Sequence, residues 1–116
     1  MKLLIADDNR EMRALVRRMC AGVASEMREC GDGAEAIAAF EDFAPDWTVM
    51  DVGMPNVDGL AATRKILAAH PAARIVMITQ HRGAEYELAA REAGARAFVG
   101  KDNLQSLLTL LSQPPA

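Results

Sequence analysis

Five residues of this chain could carry phosphoryl chemistry if the fold gathered them: the adjacent acids Asp7 and Asp8, a third acid at Asp51, the hydroxyl of Thr79 and the ammonium of Lys101. Each stands at or just beyond the end of a short apolar run. Three carboxylates held within a few ångströms repel one another and raise each other's pKa unless a cation lies among them. Hard oxygen ligands, with room left for water and a phosphate, suit Mg²⁺ rather than zinc or copper. On the other side, Lys101 supplies a point charge for a phosphoryl oxygen and Thr79 a donor for a second. Taken singly, each of these residues is an ordinary turn or capping residue. Their joint placement at the ends of four strands, in order, is what points to a phosphoryl-transfer site.

Such a placement demands a particular scaffold. Strand-type apolar runs alternate with stretches of helical period, the pattern of repeated βα units and a parallel sheet. Strands are expected at Lys2 to Ala6, Glu26 to Cys30, Trp47 to Met50, Arg74 to Ile78 and Arg96 to Val99. The first, third and fourth are nearly continuous apolar runs, as for strands covered on both faces. The first helix begins near Arg10, capped by Asn9, with Met12, Leu15, Val16 and Met19 on one side. The second runs from about Gly33 to Phe43 and stops before Pro45. The third starts at Asp58-Gly59 and closes at His70-Pro71. The fourth, Ala84 to Ala93, is rich in alanine, thinly anchored and ended by Gly94. The fifth, Asn103 to Leu111, carries Leu104, Leu107, Leu108 and Leu111 as a stripe, and residues 112–116 read as a frayed tail or the start of a linker. In a doubly wound sheet the functional crevice lies at the carboxyl ends of the strands where strand order reverses, which is where the five polar residues fall.

The composition agrees with one domain over residues 1–116: 51% of the residues are apolar, enough for one core. A net charge of −3 with 25% charged residues lacks the basic face that nucleic acid or an anionic membrane requires. No apolar run approaches the ~20 residues that span a bilayer, and Asp7-Asp8 interrupts the amino-terminal run before it could serve as a signal core, so a cytoplasmic location is expected. Cys20 and Cys30 have neither metal-ligand nor disulfide-framework spacing and read as buried free thiols, and the seven methionines as core filler.

Asp7-Asp8, Asp51-Val52-Gly53-Met54-Pro55, Asp58-Gly59, Thr79 and Lys101 together closely resemble the signature of response-regulator receiver domains, over the whole chain. The resemblance implies a flavodoxin-like (βα)5 fold with strand order 2-1-3-4-5 and a phosphorylation switch in a two-component phosphorelay. Under it, Asp51 is the phosphoacceptor, charged by a histidine kinase, a histidine phosphotransfer protein or a small phosphodonor. Asp8, Asp51 and the Gly53 carbonyl hold Mg²⁺, or Mn²⁺ in its place, and Asp7 holds it through water. Lys101 and Thr79 meet the phosphoryl oxygens. Thr79 and Phe98 form the switch pair, although Phe98 lacks the hydroxyl of the tyrosine frequent at that position and reads equally well as permanent core. An output domain or target protein, or a second copy of the chain, would dock on the face of helix 4, strand 5 and helix 5.

Three departures from the usual pattern bear on this reading. Gln80 follows Thr79 where a small residue is usual, and is expected to crowd the phosphoryl pocket. His81 stands where side chains tune hydrolysis. Lys101-Asp102 replaces a frequent Lys-Pro and resembles receivers joined to helix-turn-helix DNA-binding domains, although no DNA-binding element lies within these residues. Two rivals follow: a degenerate receiver that signals by binding alone, which Gln80 favours, and a Mg²⁺-dependent phosphatase or nucleotide-binding protein of similar architecture. The phosphatase would want an acid at position 53, where glycine stands. A dinucleotide site would want a glycine-rich turn in place of Asp7-Asp8-Asn9-Arg10.

Overall fold

A computed structural model describes residues 1–80 and 84–112. His81 and residues 113–116 lie outside the described residues. The order of elements is β1 (Lys2–Ala6), α1 (Arg10–Cys20), β2 (Glu26–Cys30), α2 (Gly33–Phe43), β3 (Trp47–Asp51), α3 (Gly59–Ala69), β4 (Ile75–Thr79), α4 (Ala84–Ala93) and β5 (Ala97–Gly100). A single 3-10 turn, Lys101–Asn103, then leads into α5 (Gln105–Leu111). All five strands are parallel in the order β2-β1-β3-β4-β5, with Leu3 opposite Trp47, Thr48 opposite Ile75 and Val76 opposite Ala97.

Alternation along the central strands divides the interior into two layers. Leu4, Ala6, Met50, Ile75 and Met77 point toward α2, α3 and α4, where they meet Ala36, Phe40, Ala62, Ile66 and Ala90. Leu3, Ile5, Val49, Val76 and Ile78 point toward α1 and α5, where they meet Val16, Cys20, Leu104, Leu107 and Leu111. β3 and β4 are buried along their whole length, as their apolar runs require. β2 lies at the sheet edge and buries only Cys30 fully, so its sequence can alternate charge with apolar residues. Cys20 and Cys30 are both free and buried.

Three helices start from side-chain caps: Asn9, Asp32 and Asp58 accept from the backbone N–H of Met12, Glu35 and Ala61 at 3.0, 2.8 and 2.8 Å. Each cap stabilises its helix start by about 1 kcal/mol. Gly94 ends α4 at a φ of +99°, a left-handed conformation that glycine adopts without strain.

The boundaries differ from the sequence reading in four places. β3 continues through Asp51, β4 runs from Ile75 to Thr79, and β5 runs from Ala97 to Gly100, so Asp51 and Thr79 are the last residues of their strands rather than the first beyond them. The fifth helix starts at Gln105 and not Asn103, because the 3-10 turn takes up residues 101–103 and Leu104 has no side-chain cap to offer. Among the described residues no peptide bond is cis, and no helix is long and apolar enough to cross a membrane.

Candidate functional site

The carboxyl ends of β1, β3, β4 and β5 lie along one edge of the sheet, and the order in which strands are added reverses between β1 and β3. Asp7 leaves β1 fully buried, its N–H donating to the Cys30 carbonyl at 3.1 Å and its Oδ1 accepting from the Asn9 N–H at 2.8 Å. Asp8, next in the chain, faces solvent. Asp51 is 5% exposed, and one carboxylate oxygen from each of Asp7, Asp8 and Asp51 lies within 4.8 Å of the others. Lys101 reaches in from the turn after β5, its Nζ standing 2.8 Å from Asp7 Oδ2 and 3.3 Å from Asp51 Oδ1. Its ammonium therefore sits against two of the carboxylates as their counter-charge, closer to them than the sequence reading placed it.

Above these groups opens a polar cleft of about 350 Å³ lined by Asp8, Asn9, Asp51, Gly53, Gln80 and Lys101. Asp7 lies beneath the floor. The loop after β3 is fastened on two sides. The Gly59 N–H donates to the Val52 carbonyl at 2.9 Å, and the Asn56 side chain donates to Asp32 at 2.9 Å while the Gly33 N–H donates to the Val57 carbonyl at 2.9 Å. Glycine is required at both contacts: a Cβ at Gly59 would stand 1.8 Å from the Asp51 carbonyl oxygen, and one at Gly33 2.1 Å from that of Val57.

The electrostatics follow from this crowding. Burial, and then the charge of Asp7, push the Asp51 carboxyl up to about 6 against the pull of Lys101. Burial alone would lower the Lys101 pKa, but its contacts with Asp7 and Asp51 outweigh that and raise it. Asp7 Oδ2 is buried and has the Lys101 ammonium, 2.8 Å away, as its ion-pair partner. An all-oxygen donor set fits a hard cation, and the three acids could hold one.

The family model of the response regulator receiver domain matches residues 3–112. The chain belongs to the response-regulator receiver family. It is 34% identical over 104 residues to an uncharacterized transcriptional regulatory protein, YhcZ, of Bacillus subtilis, covering 88% of this chain and 49% of that one. It is 31% identical over 102 residues to the chemotaxis protein CheY of Listeria monocytogenes, covering 87% and 86%. A crystal structure of a two-component response regulator of the LuxR family from an Aurantimonas species superposes with a TM-score of 0.85 at 33% identity, covering 96% of this receiver and 84% of that chain. The chain spans between 30% and 49% of the length of several curated relatives that it matches.

The receiver fold brings Asp7, Asp8, Asp51 and Lys101 into one site and sets Gly53 and Gln80 on its rim. Thr79, 2% exposed, ends β4 opposite Gly100, beside the strand that leads to Lys101. Phe98 is half-buried and packs against the layer formed by α2, α3 and α4. Two participants escape the sequence reading. Asn9 serves as more than a helix cap, since its N–H holds Asp7 and its side chain lines the cleft. Arg13 donates from Nη1 to the Asp7 carbonyl at 2.7 Å, a contact made by a helix residue across a turn that no motif announces.

Proposed function

We propose that Asp51 accepts a phosphoryl group from a phosphohistidine of a histidine kinase or phosphotransfer protein, or from a small phosphodonor, so that the domain works as a switch. The observation that carries this is the Asp51 carboxylate at the floor of a polar cleft, with two more acids and an ammonium within reach. An Asp51 oxygen attacks phosphorus in line. The bond from phosphorus to the donor's imidazole nitrogen breaks with its electron pair left on the nitrogen, and an acyl phosphate remains on the protein. Asp8, Asp51 and the Gly53 carbonyl would hold Mg²⁺ or Mn²⁺, with Asp7 bound through water. The ion, when bound, neutralises charge on the transferring group. Lys101 turns from Asp51 to a phosphoryl oxygen, and the Thr79 hydroxyl donates to another. Drawing Thr79 inward gives Phe98 a site to fill, and this would carry the signal to α4, β5 and α5.

The partners follow from that route: a kinase or phosphotransfer protein at the cleft, and an output domain, a target or a second copy on the face of α4, β5 and α5. Gln80 on the rim favours one other reading, a receiver that binds its partner without phosphorylation. Intact-mass measurement after incubation with Mg²⁺ and acetyl phosphate decides between them. A single phosphoryl adduct in the wild type, absent without Mg²⁺ and in Asp51→Ala, is expected. No adduct from acetyl phosphate or from a panel of kinases would leave the binding-only reading.

A further inference from the structure

The geometry points to Arg13 as a positioning residue for the acidic cluster, an inference that rests on reading this cleft as a Mg²⁺-dependent phosphoacceptor site. Asp7 and Asp8 occupy the short connection between β1 and α1, and both of their carboxylates must be aimed from one turn. The side-chain oxygens of Asp7 are occupied by the Asn9 N–H and the Lys101 ammonium, and its N–H by Cys30. Its carbonyl is the one remaining handle, and Arg13 takes it at 2.7 Å.

Arg13 is itself held. Its Nε donates to Glu29 Oε1 at 3.1 Å, while Arg17 Nη1 donates to the other oxygen of Glu29 at 3.2 Å. The guanidinium thus bridges α1, β2 and the end of β1, and its side chain is only 19% exposed. A planar fork suits this task because two of its donors point in fixed directions at once, one to the carbonyl and one to the carboxylate. A lysine could satisfy one of these acceptors at a time. A partner that fixes a ligand's orientation without touching the metal contributes strongly to affinity, and its removal commonly weakens binding by about 10–100-fold. Arg13 acts through the backbone of Asp7 rather than through its carboxylate, so the lower end of that range applies.

Titration calorimetry of Mg²⁺ into the unphosphorylated protein tests this. Arg13→Ala is expected to weaken binding by about tenfold. Arg13→Lys should recover part of that loss, and Glu29→Gln should weaken binding by a smaller factor. Arg17→Ala, which disturbs the same glutamate without touching Asp7, should stay within about twofold of the wild type. Thermal unfolding of each metal-free variant, followed in parallel, separates aiming from scaffolding: a purely structural Arg13 would lower the unfolding temperature and leave the Mg²⁺ affinity of the folded protein alone. A folded Arg13→Ala that binds Mg²⁺ as the wild type does overturns the inference, as does an Arg17→Ala that weakens binding equally. Should Arg13→Ala not fold, unchanged affinity in both Arg13→Lys and Glu29→Gln overturns it instead. A wild type that binds Mg²⁺ yet never takes a phosphoryl group would remove the phosphoacceptor reading and leave Arg13 standing. Absence of Mg²⁺ binding in the wild type would remove both.

Discussion

A carboxyl group that is 5% exposed and beside the charge of Asp7 holds its proton more tightly in the folded chain than in the unfolded one. For Asp51 the shift runs from 3.8 to about 6. Within that window the folded state keeps a proton that the unfolded state has released, so stability falls as pH rises through it and stays lower above about 6. Asparagine at this position removes the ionisation and its cost. Without divalent metal, Asp51→Asn is therefore expected to be more stable than wild type above about pH 6 by roughly 1–3 kcal/mol, the difference fading toward about pH 4. Thermal unfolding in a chelator across that range measures it, and a variant that unfolds no later than wild type at neutral pH would refute it. The acids, Thr79 and Lys101 are legible in the sequence because each sits where an apolar strand stops, so one rule about strand ends collects them. Arg13 and the pair of Asn56 with Asp32 are not, since their partners lie on neighbouring turns that meet only after folding.

At the scale of elements, the start of α3 is built into the site. Asp58 caps it, and Gly59 packs so tightly beneath the end of β3 that its backbone and the Asp51 carbonyl leave no room for a methyl group. Gly59→Ala must push β3 and α3 apart at that point. A loss of at least about 3 kcal/mol is expected, with slower phosphoryl uptake because the displaced residue is Asp51 itself. Urea unfolding together with intact-mass kinetics would show it, and a wild-type midpoint would rule it out. Nine of the ten regular elements were readable to within a residue, because continuous apolar runs, helical spacing and cap residues leave few alternatives for them. α5 was not: its leucine stripe extends back to Leu104, but the chain first turns through Lys101–Asn103 as it carries Lys101 over the cleft. The turn that brings Lys101 to Asp7 and Asp51 therefore takes the place of the helix start that periodicity alone suggested.

For the whole molecule, the proposed switch needs a surface that responds. A groove of about 440 Å³ between β5 and α5 is lined by Phe98, Ser106, Thr109 and Leu110 among others, and α4 beside it buries only Ala90 and Ala93. Leu88 on that helix is 57% exposed. A homodimer through this face is expected on phosphorylation, so sedimentation with acetyl phosphate and Mg²⁺ should give about twice the 12.5 kDa of the chain. A monomer with and without the donor would remove the dimer and leave a different partner for the face. The two layers of the interior have a consequence of another kind. Among the described residues their buried members form two separate clusters on opposite faces of the sheet, since alternate residues of each central strand serve opposite sides. The sheet is thus a wall between two separately packed compartments: a cavity cut beneath α1 and α5 is repacked by its own layer, and its cost should add to that of a cavity cut beneath α2, α3 and α4.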